Sequence, residues 1–464
     1  MRLYLIRHAE SEGNRLGIIQ GQRKGYGLSK AGVRASIAQA SSFKGAISKG
    51  CIFITSDLKR ALETARIFSA HLDSDLVVDP SLREVHPGIL QGKRKASLKP
   101  CQALYLECWD RRGDLDDIPG AETGDQLQSR VLAFLARTSL NGEDNDYMVF
   151  THAAYMRCFV NTVKGRPRCT AVPVENLYIH TVDSPWEAIE CSEFSAGFNS
   201  RAWHIVTADS EYVLKIVENV RRESLSALEK LHKLIRTPEH TIPALYYWRM
   251  WDPEAKFGRA ILVYEYLPGT SLGKKVSVRG LAFMVQGLYA YHQRLLEASK
   301  NISTRHFSTL SDRFRSACSE VRSRDLKQMF GRVSRNSAVR DILRDKELVL
   351  VDFDVHLGNM LTDGRMFKKI DIGVTWAPRI MQPASFLLAG CMLEDPESFD
   401  IRSYADIWPD KYSERQLLAA MMLRAVYGLS FFDRATSTLS LNKQNEARLI
   451  LARYIKCLDK LLHQ

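Results

Sequence analysis

The chain of 464 residues is 45% hydrophobic and carries a formal net charge of +12; it is too long for one ordinary core and leads us to expect two domains. No apolar run approaches the ~18 residues of a membrane helix, and the nine cysteines are dispersed and never spaced as a CxxC pair, so a membrane partner, a signal peptide, a disulfide framework and a zinc site are not expected and a reducing cytoplasm is. Basic residues come in short groups such as Lys93-Arg94-Lys95 and Arg221-Arg222 without an aromatic-studded stripe, a pattern of solvated surface that favours anionic phosphate substrates over nucleic acid.

The chain opens on Leu3-Tyr4-Leu5-Ile6, a buried strand running into Arg7-His8. In open α/β sheets the ligand crevice lies beyond the carboxyl ends of the strands, so these side chains are expected to face substrate. A neutral imidazole can attack phosphorus through one ring nitrogen, and a guanidinium can clamp phosphoryl oxygens, which makes His8 a candidate nucleophile beside Arg7. Ser29 is expected to cap a helix reaching Ser42; Cys51 to Ser56 reads as a strand and Asp57 to Ala70 as a helix with Arg60 in its first turn. Val77-Val78 is a short strand before Leu82-Arg83-Glu84, Gln126 to Leu140 a helix, and Tyr147 to Phe150 a strand ending in Thr151-His152 with a helix behind it. The second histidine thus has the same context as the first.

Five ordered motifs then carry a resemblance: Leu5 to Ser11 with Asn14 and Gln20-Gly21; Ser56 to Ala61 with Thr64-Ala65; Leu82-Arg83-Glu84 with Gly88 and Gly92; Pro119 to Thr123; and Phe150 to Ala154. Together they resemble the histidine phosphatase, or phosphoglycerate mutase-like, superfamily over residues 1–190. The resemblance implies a transiently phosphorylated His8, a phosphate pocket completed by Arg7, Arg60 and His152, and Glu84 as proton donor to the leaving alcohol. It requires no metal and suggests Asn14 and Gln20 as further phosphate or substrate contacts. Ala9 and Ala153-Ala154 stand where the family has glycines. The stretch between Gly92 and Pro119 is short for the capping insertion of a mutase, which favours a phosphatase.

From about residue 191 a second domain is expected, to 464. A small-residue loop from Phe194 to Arg201 leads to a hairpin, Ala202 to Thr207 and Tyr212 to Val217, followed by a helix from Arg222 to Ile235 and a strand from Ala260 to Tyr266. Leu348 to Leu361 places Asp354, His356 and Asn359 in a loop between apolar runs, and Asp371 follows a turn at Asp363-Gly364. Phosphoryl transfer from a nucleotide needs a carboxylate to orient the acceptor hydroxyl and oxygen ligands for magnesium. This half resembles the aminoglycoside phosphotransferase and choline kinase-like family, small-molecule kinases of the protein-kinase fold. The resemblance implies Asp354 as catalytic base, Asn359 and Asp371 as Mg2+ ligands, and Lys215 on the phosphates of ATP, with Glu223, or alternatively Glu229, as its helix partner. Asp352 stands where the family has His, Ile372 replaces the usual aromatic, and a further Asp is missing around Ser385-Phe386. The mixed acidic and aromatic stretch from Glu394 to Trp408 is a candidate acceptor contact, and Glu414 to Tyr427 and Lys443 to Leu462 read as amphipathic helices.

The expectation is therefore an α/β chain, an N-terminal doubly wound sandwich of the histidine phosphatase type plus a C-terminal two-lobed kinase-like α+β domain. Its function is expected to be bifunctional: metal-independent phosphomonoesterase and ATP/Mg2+-dependent kinase, acting on a small phosphate ester and a small hydroxyl acceptor. The alternative is a phosphatase whose second half is a degenerate nucleotide-sensing module.

Overall fold

The computed structural model describes residues 1–44, 47, 50–112, 115–139, 145–168, 170–194, 200–237, 241–252, 254–271, 278–355, 357–362, 366–393, 408–438 and 441–463. The loop at 195–199, His356, the turn at Asp363-Gly364 and the stretch 394–407 lie outside them. In chain order the elements begin β1 (Arg2–Arg7), α1 (Glu12–Arg15), α2 (Lys30–Ser42), β2 (Ile52–Thr55), α3 (Lys59–Leu72), β3 (Leu76–Val78), α4 (Pro100–Arg112), α5 (Gly124–Ser139), β4 (Tyr147–Thr151), α6 (Ala153–Val163) and β5 (Ile179–Asp183). They continue with β6 (Cys191–Glu193), β7 (Ser200–Val206), β8 (Glu211–Arg221), α7 (Arg222–Ile235), β9 (Leu245–Met250), β10 (Phe257–Glu265), β11 (Thr270–Ser271), α8 (Val278–Ser299), α9 (Leu310–Glu320), α10 (Arg324–Arg335) and α11 (Ser337–Arg344). The last are β12 (Val349–Asp352), β13 (Met360–Thr362), β14 (Phe367–Lys369), β15 (Val374–Ala377), α12 (Met381–Leu393), α13 (Glu414–Thr438) and α14 (Leu441–His463).

These elements form two compact units, one of residues 1–220 and 245–266, the other of 221–244 and 267–464. The first unit contains a sheet of order β3-β2-β4-β1-β5 in which only β5 runs antiparallel to its neighbour. Side-chain alternation explains its two covered faces. Ile6, Phe53, Met148 and Phe150 pack with Ala40 of α2 and Ala65 and Phe68 of α3, while Leu3, Leu5, Ile54, Tyr147 and Val149 pack with α5 and α6. This is the doubly wound arrangement expected, and Ser29 does cap α2, accepting from Gly32 N at 2.9 Å.

The first unit also holds a second sheet, β6-β7-β8-β10-β9. Trp203, Ile205, Tyr212, Leu214, Ile216, Ile261 and Val263 join Val131, Leu132 and Leu135 of α5 in one continuous core. The expected division at residues 190 and 191 follows the chain, whereas the packing carries the strands beyond 191 into the first unit, because the apolar face of that sheet is buried against α5. Lys215 alternates with Leu214 and Ile216 along β8 and so belongs to the opposite face.

In the second unit, α9 to α14 surround a core that includes Leu326, Phe330, Val333, Val339, Val351, Phe353, Met381, Leu423 and Leu458. The small sheets β12-β15 and β11-β13-β14 frame the Asp354 loop. Among the described residues no helix is long and apolar enough to cross a membrane.

Candidate active site

Parallel pairing of β1 with β4 sets Arg7 opposite Thr151, so the residues just beyond the two strands meet. His8 N donates to Thr151 O at 3.0 Å, and the rings of His8 and His152 lie 5.2 Å apart. His8 Nδ1 donates to Ala9 O at 2.7 Å and Arg60 Nε donates to His8 Nε2 at 3.2 Å. These two bonds select the tautomer with the proton on Nδ1 and the lone pair on Nε2. Burial, with Arg60 and Arg7 adding to it, holds the His8 pKa well below its ordinary value, and burial does the same to His152. Both rings are therefore neutral. Burial also lowers the Arg60 guanidinium, to about 10, and Arg60 keeps its charge at neutral pH.

Two buried polar atoms here have no partner among the described residues, Arg7 Nε and His152 Nδ1. A bound anion can satisfy such orphans. Arg7 is anchored by Nη1 to Val174 O at 2.5 Å, Arg60 by Nη2 to Gly21 O at 2.9 Å, and His152 Nε2 faces Ser56 Oγ at 3.0 Å.

Glu84 reaches the same end of the sheet from the loop after β3. Its Oε1 accepts from Val85 N at 3.0 Å and from Ala154 N, in the first turn of α6, at 3.2 Å. The loop is braced by Arg83, bidentate on Asp57, and by Arg130 of α5, which donates to Ser81 O and Arg83 O and pairs with Glu122. Gly88 closes it at a φ of 55°, where a Cβ would stand 2.3 Å from Pro119 O. His8, Arg7, Arg60, Glu84 and His152 thus lie at the same end of the sheet. Asn14 and Gln20 both bond Ser11: Asn14 completes a capping box with it, and Gln20 Nε2 donates to its hydroxyl at 2.9 Å. The second motif included Ser56 without giving it a role, and Arg130, eight residues beyond Glu122 on a helix, carries little signal without the fold.

In the second unit, Asp352 ends β12 fully buried. Its Oδ1 accepts from Asp354 N at 2.8 Å and Gly373 N at 3.1 Å; its Oδ2 accepts from Tyr291 OH at 3.0 Å and lies 3.1 Å from Lys369 Nζ, which is also fully buried. Lys369 donates in addition to Ile370 O and Asp371 O, each at 2.7 Å. The acid at the family's histidine position is therefore matched by a lysine two residues before Asp371, and the pair ties the two loops together. Asn359 Nδ2 donates to Asp354 Oδ2 at 2.8 Å, and Ile370 N donates to Asn359 O at 3.0 Å, which brings Asp371 next to Asn359. With its amide nitrogen turned to Asp354, Asn359 keeps Oδ1 as a hard oxygen donor, and Asp371 is exposed at a φ of 53°. That donor set fits magnesium.

Lys215 stands on β8 in the first unit, and Glu223 is exposed in the first turn of α7 in the second. The alternative Glu229 bonds Lys233 Nζ at 2.7 Å, one turn further along α7.

Comparison with known proteins matches residues 3–184 to the histidine phosphatase superfamily, branch 1, and residues 190–368 to the phosphotransferase enzyme family. A protein named probable phosphoglycerate mutase GpmB from Proteus mirabilis is 32% identical over 199 residues, covering 40% of this chain and 88% of that one. The crystal structure of a phosphoglycerate mutase from Thermus thermophilus is 31% identical, covers 37% of this chain and 88% of its own, and has a TM-score of 0.28. A mycobacterial glucosyl-3-phosphoglycerate phosphatase solved with VO3 is 21% identical, covers 44% and 97%, and has a TM-score of 0.36.

Proposed function

Because the chain belongs to the histidine phosphatase superfamily over residues 3–184 and to the phosphotransferase enzyme family over residues 190–368, we propose that it is bifunctional, a phosphomonoesterase joined to an ATP-dependent kinase of small-molecule hydroxyls. The observation that carries the first half is the neutral, buried His8, its Nδ1 proton held by Ala9 O and its Nε2 lone pair beside Arg60. Nε2 attacks phosphorus, a nitrogen–phosphorus bond forms as the ester oxygen–phosphorus bond breaks, and the Glu84 carboxyl gives its proton to the departing alkoxide. Water then attacks the phosphohistidine, Glu84 takes up the water's proton, and inorganic phosphate leaves. Arg7 Nε, Arg60 and His152 Nδ1 offset the negative charge of the transferring group throughout.

For the second half, Asp354 would orient the acceptor hydroxyl and take its proton as that oxygen bonds to the terminal phosphorus of the nucleotide and the nucleoside diphosphate leaves, and Asn359 and Asp371 would hold magnesium. Bound magnesium supplies the charge neutralisation that phosphoryl transfer between anions needs. The Asp352–Lys369 pair supports a working site over a degenerate sensor, since it gives the loop a fixed shape without the family's histidine.

Brief incubation with a labelled aryl phosphate tests the first half: an acid-labile, alkali-stable phosphoryl group is expected on His8, and continued turnover with label elsewhere or nowhere would refute it. A mutase reading, favoured by the name of the Proteus mirabilis relative, predicts an isomeric ester in place of inorganic phosphate.

A further inference from the structure

Resting on the assignment of Glu84 as proton donor, we propose that Arg249, on a strand from the phosphotransferase half of the chain, positions the Glu84 loop of the phosphatase site. Asp79, at the end of β3, is fully buried and lies between two guanidiniums. Arg137 of α5 donates to its Oδ2 and Arg249 of β9 to its Oδ1. The same Oδ1 accepts from Ser81 N at 2.8 Å and Ser81 Oγ at 2.6 Å, so Asp79 caps the single turn Pro80–Leu82 that runs directly into Arg83 and Glu84. Thr151 Oγ1 donates to Leu82 O at 2.7 Å and fastens that turn beside His152.

Burial pushes the Asp79 carboxyl up, and Arg137 and Arg249 more than reverse this, leaving it below the usual carboxylate range. With one of the two cations removed, the buried carboxylate is undercompensated and follows the remaining one, Arg137, away from Ser81. The strand that carries Arg249 is packed against α5. Its sheet shares the core of α5, and Asp125 of α5 accepts from Ser210 Oγ at 2.9 Å and Tyr212 OH at 2.8 Å across the same junction. A chain ending with the phosphatase match at residue 184 would lack this strand, so the fused sheet has become part of the scaffold that aims the acid.

The test uses the full chain and the variants Arg249→Gln and Arg249→Lys, with nitrophenyl phosphate and an alkyl phosphate as probes. A mispositioned acid harms only a leaving group that needs its proton. Arg249→Gln is expected to lower alkyl phosphate turnover by about tenfold and nitrophenyl phosphate turnover by less than about twofold, and Arg249→Lys to show the same split at about threefold. Amide hydrogen exchange at residues 81–85 should quicken in Arg249→Gln while that of β1 does not. Should Arg249→Gln fail to fold, Arg249→Lys carries the test. Equal losses on both esters, or none, in a folded variant overturn the proposal. Wild type inactive on both esters would instead refute the phosphatase reading, and the exchange measurement then decides the role of Arg249: unchanged exchange at 81–85 refutes it.

Discussion

The His8 region and the Asp354 region meet the same problem, the negative charge of a phosphoryl group, with opposite sets of side chains. Around His8 the described residues include Arg7, Arg60 and the hydrogen-bonding His152, with the Glu84 carboxylate reaching the same end of the sheet. Around Asp354 the described residues include three carboxylates, Asp352, Asp354 and Asp371; the buried Lys369 is committed to Asp352 and to two backbone carbonyls, and Arg424 to Phe353 O. On the function proposed above, the first set would receive an anion with its own charges, and the second would do so with cations that arrive with the nucleotide.

The largest effect expected from breaking this contrast is at the nucleophile. His8→Ala should cut phosphate ester hydrolysis by at least about 10⁴-fold in steady-state assays while leaving nucleotide binding in the second half intact. Lys369→Met should be the most damaging single change at the other site. It strands the Asp352 carboxylate in the interior, for an expected loss of about 3–5 kcal/mol in urea unfolding, and Asp352→Asn combined with Lys369→Met should recover much of that. If the double variant is no better than the single one, the pair is not what holds the loop.

Glu84→Gln sharpens the contrast from within the first site. An alkyl phosphate should lose about a hundredfold in turnover and a nitrophenyl phosphate far less; equal losses would make Glu84 structural. The last expectation concerns pH dependence. Burial drives His8 and His152 well below the ordinary histidine pKa and takes His232 and His292 to about 4. Each is neutral when folded and protonates near 6.5 when unfolded, so the unfolded chain binds more protons as pH falls. Stability should be full above pH 6.5 and decline from there down to about pH 4, by up to ~1.4 kcal/mol per histidine per pH unit. A melting temperature that is level from pH 7 to 5 would contradict that.

The parts of this account legible in the sequence are those carried by short-range pattern. Apolar runs ending in Arg7-His8 and Thr151-His152 foretold two adjacent strand ends, and the alternation on either side of Lys215 foretold the hairpin. Three kinds of feature were not legible. The strand β9 is an aromatic run without clear period, and only pairing with β10 defines it. That the sheet beyond residue 191 packs on α5 depends on contacts between residues more than seventy positions apart, such as Asp79 with Arg249 and Asp125 with Tyr212. Asp352 looked like a lost histidine because its partner Lys369 is recognisable only once both are seen buried together.

The most direct test of the two opposite charge sets is chelation on one sample of the full chain, with aryl phosphate hydrolysis and ATP-dependent thermal stabilisation measured in parallel. With excess EDTA, hydrolysis should continue almost unchanged while the rise in melting temperature produced by ATP and magnesium disappears. Hydrolysis that stops with EDTA, or a second half whose melting is indifferent to ATP with magnesium, would contradict the account.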